Sequence, residues 1–221
     1  MKKIVFFVLM AAIAVFSGFS QAGIVREFTG DVELKPAGAT AFTPAQAGAT
    51  IAQDTIVATG FKSTAIIAVG STTIMVRPLT RLSLAEIQSS EGSQSVETLN
   101  VSLQTGRLRV DVKPPAGTRA NATVQTPSAT ASVRGTEFFM DNDSVIVDKG
   151  MITFKGRNGL IQTVNKGFSS KITGNGSSSS PSVAAAESLK PSAPSGSGLA
   201  GENNLPSAPP STGELLFEFK F

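Results

Sequence analysis

Five carboxylates in the middle of the chain are the side chains best placed to carry chemistry. The 221 residues contain no histidine and no cysteine, which excludes a Ser-His-Asp or Cys-His nucleophile and removes the commonest zinc ligands. A pair of carboxylates, as used in glycoside hydrolysis, is still available. The candidates are Asp111, Glu137, Asp141, Asp143 and Asp148.

Two of these acids have a simpler explanation as turn residues. Asp141-Asn142-Asp143-Ser144 lies between two strand-like runs, where Asp and Asn commonly form turns. Their spacing could contribute to a calcium site, but the glycine and terminal glutamate of the helical calcium loop are absent. We therefore predict a protein that is not an enzyme and that has no metal and no cofactor. A carboxylate-based glycan hydrolase is the third hypothesis.

Gly135 interrupts the strand-like run Thr126–Asp141 and lies between two charged residues, Arg134 and Glu137. Residues three positions apart face opposite sides of a regular strand, so Arg134 and Glu137 would be separated. A bulge at Gly135 would shift the phase and bring both residues to one side. We expect the two side chains to form a charge-assisted hydrogen bond that acts as a folding device. A ligand site built around Arg134 is the alternative.

This stretch resembles the FecR domain. Weaker similarities cover about Gly23 to Thr173, and they include Gln104-Thr105-Gly106-Arg107 upstream and Val145–Val147 downstream. The residues of the central motif are Thr126, Pro127, Val133, Arg134, Gly135, Thr136, Glu137 and Phe138.

The resemblance implies an extracytoplasmic all-β module. In iron-uptake regulators this module is joined to a transmembrane helix and a cytoplasmic anti-sigma segment. Here a signal-like segment stands in their place, so the resemblance does not carry over the anti-sigma activity.

Period-two alternation runs from Gly23 to about Thr173 and is broken by glycine-centred turns. Many short strands with regular turn signals predict an all-β fold of mainly antiparallel strands. A weak repeat of glycine followed by alternating apolar residues leaves a twisted sandwich and a solenoid-like arrangement both open. The alternation in Arg107–Lys113 is regular and predicts a half-solvated strand.

The first 22 residues are typical of a secretory signal peptide. Lys2 and Lys3 precede an apolar run from Ile4 to Phe19, and Ser20-Gln21-Ala22 supplies small residues before a cleavage site. Without Lys2 and Lys3, 17 basic residues (19 − 2) face 16 acidic ones, a net charge of +1. This balance predicts no nucleic-acid partner and no stable insertion of the mature chain into a membrane. We expect a periplasmic, outer-membrane-associated or extracellular protein.

Two further segments follow the predicted β-domain. Gly174–Gly213 consists mainly of Ser, Pro, Gly and Ala, which predicts a disordered linker. Glu214–Phe221 then alternates again, which predicts an amphipathic strand. Because an unpaired strand tends to aggregate, we expect it to pair either with its own domain or with another protein. Its apolar face consists of Leu215, Phe217, Phe219 and Phe221.

These features favour a non-enzymatic interaction or signalling module of the bacterial envelope. Its partner would be an envelope protein or a glycan, which the sequence does not identify. A surface-exposed structural or adhesin-like protein is the alternative.

Overall fold

The computed structural model describes residues 22–90, 95–159 and 161–183, and these residues form strands and turns without a helix. The all-β prediction is therefore confirmed. The strands are β1 (Gly23–Thr29), β2 (Val32–Lys35), β3 (Thr43–Pro44), β4 (Thr50–Ile51), β5 (Ile56–Thr59), β6 (Thr64–Val69), β7 (Thr72–Val76), β8 (Arg81–Ser90), β9 (Ser95–Thr105), β10 (Arg107–Val112), β11 (Thr118–Gln125), β12 (Ala129–Val133), β13 (Glu137–Asp141), β14 (Ser144–Lys149), β15 (Met151–Gly156), β16 (Ile161–Asn165), β17 (Phe168–Lys171) and β18 (Ser182–Val183).

The strands form two nine-stranded sheets that pack as a sandwich. The first sheet has the order β4-β1-β6-β7-β10-β13-β14-β17-β18, and the second has the order β3-β2-β5-β8-β9-β11-β12-β15-β16. Apart from one edge of each sheet, the strands follow one another in chain order. The chain therefore builds the sandwich from one side to the other as it passes between the sheets. Neighbouring strands are antiparallel except for β9 and β11, which run parallel.

The core lies between the sheets and is filled by alternate residues of each strand. In β10 the side chains of Leu108, Val110 and Val112 are buried, while the residues between them face solvent. This confirms the half-solvated strand that the alternation predicts. Phe138 and Phe154, one from each sheet, are among the largest fully buried side chains.

Several connections between the sheets meet at one end of the sandwich, which we call the crossover end. It consists of residues 30–31, 60–63, 77–80 and 106, which lead from β1 to β2, from β5 to β6, from β7 to β8 and from β9 to β10. Backbone hydrogen bonds join these connections. Gly60 N–H donates to the Asp31 carbonyl at 2.8 Å, and Leu79 N–H donates to the Gly60 carbonyl at 3.2 Å.

The described fold continues into the segment that composition predicts to be linker. Ile172 forms an isolated bridge with Ser178, and β18 pairs with β17 at the edge of the first sheet. The rest of the predicted linker, the predicted signal peptide up to residue 21 and the predicted C-terminal strand lie outside the described residues. Within the described ranges, no helix is long and apolar enough to cross a membrane.

Candidate functional site

The Thr126–Asp141 stretch spans a turn, two strands and a connection between the sheets. Thr126 lies in the turn between β11 and β12, where its hydroxyl accepts the Ala129 N–H at 2.9 Å. The same hydroxyl donates to the Asn142 carbonyl at 2.8 Å, which ties this turn to the one after β13. The carbonyl of Pro127 accepts a hydrogen bond of 2.6 Å from Arg157 Nε.

Gly135 lies in the connection from β12 of the second sheet to β13 of the first sheet. The predicted bulge within a single strand is therefore wrong. Val133 and Phe138 are both buried because they belong to strands of facing sheets, not because a bulge shifts their phase. Gly135 has a φ of +72°, a conformation that favours glycine. The next residue, Thr136, is buried and donates to the Met151 carbonyl at 3.0 Å.

The expected ion pair between Arg134 and Glu137 does not form. Arg134 is exposed, and its Nε donates a hydrogen bond of 3.0 Å to Oδ1 of Asn121 in β11. Glu137 instead accepts a hydrogen bond from Arg109 of β10, and Lys149 Nζ lies 2.6 Å from its Oε2. The prediction fails because the connection carries the chain to the other sheet between the two charges.

A bulge does occur beside Glu137, but in the neighbouring strand β14. The register between β13 and β14 shifts between Glu137 and Phe138, which makes Asp148 the extra residue. As a result the side chains of Asp148 and Lys149 both reach the pair formed by Arg109 and Glu137. Asp148 Oδ2 lies 3.4 Å from Arg109 Nη2. We call Arg109, Glu137, Asp148 and Lys149 the ion cluster.

The ion cluster has the properties of a structural network. Hydrogen bonds from Lys149 and Arg109 lower the pKa of Glu137 from 4.5 to about 2. Glu137 is only 7% exposed. It is covered by the long side chains of Arg109 and Lys149, and Lys149 is itself exposed to solvent. Pairing with Glu137 raises the pKa of Lys149. Two cations and two anions balance, so the cluster presents no net charge to a ligand.

This electrostatic setting does not suit Glu137 for acid catalysis. A glycosidase needs one carboxyl group that stays protonated near neutral pH, which requires a raised pKa. The pKa of Glu137 is moved in the opposite direction. Asp111, which is opposite Glu137 in the pairing of β10 with β13, forms an ion pair with Lys113. The geometry thus places these acids in ion pairs.

Asp141 forms the turn expected from its sequence. Its Oδ1 accepts the N–H groups of Asp143 at 3.1 Å and Ser144 at 2.7 Å, and also the Ser144 hydroxyl at 2.8 Å. Burial, followed by the hydrogen bond and charge of Asp141, raises the pKa of Asp143. Lys171, 3.8 Å from Asp143, acts in the opposite direction. Among the described residues, no group of three or more acidic side chains is arranged to hold a metal ion.

One shallow depression lies on the solvent side of β1 and β6. Its volume is about 210 Å³, which is below the roughly 300–1,000 Å³ typical of small-molecule sites. The residues that line it are Glu27, Phe28, Thr29, Thr64 and Ile66.

Sequence reasoning missed Arg109 and Lys149 as partners of Glu137. The alternation in β10 placed Arg109 on the solvent face, which is correct. The missing information was that β13 lies beside β10, because pairing between distant strands leaves no local signal. The predicted partner residues Leu215, Phe217, Phe219 and Phe221 lie outside the described residues.

Comparison with known proteins supports the resemblance seen in the sequence. Residues 54–157 match the family model described as FecR protein, so this part of the chain is similar to a FecR domain. The matched range includes the whole ion cluster and most of the crossover end. No curated protein sequence matches the chain.

Two solved structures show a limited similarity. Both are crystal structures of a protein from Parabacteroides distasonis ATCC 8503 that is provisionally described as an anti-sigma factor. They are 13% and 14% identical to this chain, with TM-scores of 0.45 and 0.46. Each match covers 58% of this chain and 59% of the other, so it spans less than two thirds of that protein.

Proposed function

We propose that this chain, with its FecR domain at residues 54–157, is a non-enzymatic interaction module that acts in signalling in the bacterial envelope. The family match is the observation that carries the proposal. FecR domains are typically periplasmic, and the predicted signal peptide at residues 1–22 agrees with that location. The partner is an envelope protein or a glycan.

The chemistry of the described residues supports a binding role. The acids of the central motif are held in ion pairs or turns, and the pKa of Glu137 is too low for a general acid. The chain also contains no histidine or cysteine that could serve as a nucleophile or base. Recognition by surface groups therefore accounts for these residues better than turnover of a substrate.

Fractionation and cross-linking in the native cells test location and partner together. The full chain is followed by immunoblotting after osmotic shock, and its cross-linked products are identified by mass spectrometry. We expect the chain in the periplasmic fraction, cross-linked to an envelope component. Recovery in the cytoplasm, or only as an uncross-linked monomer, would contradict the proposal. Removal by protease treatment of intact cells would favour the surface-exposed structural protein.

A glycan panel tests the hydrolase hypothesis. We expect no release of reducing sugars from envelope glycans by the purified chain. Activity that disappears in Glu137→Gln while the folded spectrum is retained would overturn the non-enzymatic assignment.

A further inference from the structure

Two large apolar side chains protrude from the crossover end. Phe61 is 72% exposed and Leu79 is 60% exposed, and they belong to neighbouring connections between the sheets. Leu79 has a φ of +55° in the position after Pro78, where turns normally place glycine or asparagine. A bulky apolar residue with this backbone conformation and this exposure has no role in the core.

The backbone beneath these side chains is held firmly. Thr59 Oγ1 donates to the Arg77 carbonyl at 2.6 Å and accepts the Thr80 N–H at 3.0 Å. Thr80 Oγ1 accepts the Arg107 N–H at 2.9 Å and donates to the Arg107 carbonyl at 3.0 Å. Thr59 and Thr80 are both buried. The exposed conformation of Leu79 is thus fixed by a buried network, as expected where local strain serves a function.

Cations surround the two apolar side chains. Lys62, Arg77, Arg81 and Arg107 all lie within or directly beside the crossover end, and all are exposed. None of the four takes part in an ion pair within the described ranges, which differs from the balanced ion cluster. Lys62 Nζ lies 5.6 Å from the centre of the Phe61 ring, and Arg81 lies over the ring of Phe42.

The acids nearby leave an excess of positive charge. Asp31 lies within the crossover end, and Glu33 lies on the adjacent strand β2. Asp141 is opposite Arg107, so the four cations face three carboxylates, an excess of one positive charge. The surface therefore combines protruding apolar groups with cations that form no ion pair within the described residues.

We propose that the crossover end docks on a membrane surface that carries anionic lipids. Phe61 and Leu79 enter the interfacial region, while the surrounding cations contact phosphate head groups. This is peripheral docking of a loop end and not insertion of a spanning segment. The small net charge of the whole chain, +3, does not decide the matter, because lipid phosphates respond to charges within about a Debye length, roughly 8–10 Å.

The shape of this surface favours a lipid over an acidic protein as the occupant. Protein interfaces typically bury about 800 Å² per partner around a packed apolar centre. The crossover end instead presents two separate protruding side chains on neighbouring loops. Such side chains can enter a fluid interface without a complementary pocket.

A single tryptophan gives a direct test, because the chain has no Trp and no Tyr. Phe61→Trp in the full chain places the only indole at the proposed contact. We expect its emission to shift to the blue with phosphatidylcholine vesicles containing phosphatidylglycerol, and to be quenched by brominated lipid. Pure phosphatidylcholine should give a smaller effect, and added salt should weaken binding.

Two variants test the contribution of Leu79 without breaking the fold. Leu79→Gly and Leu79→Asn suit the positive φ, so circular dichroism and thermal unfolding should show an intact protein. In the Phe61→Trp background we expect each to weaken vesicle binding roughly tenfold, because the buried apolar area is lost. Unchanged binding in both variants would overturn the proposal.

Met151→Trp serves as the matched control, because Met151 is 62% exposed on β15 of the second sheet, away from the crossover end. We expect no blue shift at this position. A shift equal to that of Phe61→Trp, or no shift at Phe61→Trp with any vesicle, would overturn the docking site. A shift with polyglutamate but not with vesicles would assign the surface to an acidic protein and would also reject the lipid proposal.

Discussion

Arg109 donates a hydrogen bond to Glu137 across the pairing of β10 with β13, although 28 residues separate them in the chain. The guanidinium group also lies 4.6 Å from the centre of the Phe139 ring and 3.4 Å from Asp148. Arg109 therefore links β10, β13 and β14 on the solvent face of the first sheet. Because the charges around Arg109 balance, we interpret its contacts as stabilising the order of these three strands.

Loss of Arg109 should cost more stability than loss of Arg134. Arg109→Met leaves Glu137 with only Lys149, and we expect about 1–2 kcal/mol of destabilisation, between the values for surface and buried ion pairs. Arg134→Met removes one exposed hydrogen bond and should change stability by less than about 0.5 kcal/mol. Urea unfolding of both variants at neutral pH measures the difference. Equal losses would contradict the assigned pairing.

Acid should weaken the fold through Glu137. Its pKa is about 2 in the folded chain against 4.5 ordinarily, so the ionised form stabilises the fold above the higher value. This contribution is lost as the pH falls from about 4.5 to about 2. We expect this contribution to the free energy of unfolding to be about 1–2 kcal/mol, because water around the exposed Lys149 screens the ion pair.

Urea unfolding across this acidic range measures the effect. The free energy of unfolding of Glu137→Gln should fall less steeply with decreasing pH than that of the unchanged chain. Glu33→Gln, at an exposed position without an ion pair in the described residues, is the control and should follow the unchanged chain. If both variants show the same slope, Glu137 does not carry the acid dependence.

Alanine at two glycines should have unequal effects. Both have positive φ, +72° at Gly135 and +95° at Gly106. A Cβ at Gly135 meets only Pro114 at 3.8 Å. We therefore expect Gly135→Ala to lower the free energy of unfolding by about 1–2 kcal/mol, from the strained backbone conformation alone. A Cβ at Gly106 would lie 2.5 Å from the Thr80 Cα and 2.7 Å from the Leu79 carbonyl oxygen.

Gly106→Ala must therefore displace the crossover end, and we expect a loss of at least about 3 kcal/mol. Thermal unfolding monitored by circular dichroism compares the two variants. A loss for Gly135→Ala that equals or exceeds that of Gly106→Ala would contradict this packing.

Deletion of the predicted C-terminal strand, Glu214–Phe221, distinguishes its two hypotheses. If it pairs with its own domain, the deletion should lower the melting temperature, and β16 is the longest edge strand that could receive it. If it contacts another protein, the melting temperature should stay the same and a cross-linked partner should disappear. A deletion that changes neither would reject both roles.

The sequence predicted the strands well because their signal is local. Alternation in β10 identified its buried and exposed faces, and Asp141 was recognised as a turn residue from its neighbours. The motif around Gly135 was found, but its geometry was interpreted within one strand. The alternation of side chains along one strand cannot reveal that the chain leaves the second sheet after Val133 and enters the first sheet at Glu137.

The sequence by itself thus determined the all-β class, the absence of histidine and cysteine chemistry, and the resemblance to the FecR domain. Only the tertiary structure decided which charges meet. It paired Glu137 with Arg109 and Lys149, and it placed Lys62, Arg77 and Arg107 at the same end of the sandwich as Phe61 and Leu79. The physical reason is that composition and alternation are local properties, whereas ion pairs and surface charge depend on strand order and on which connections share one end.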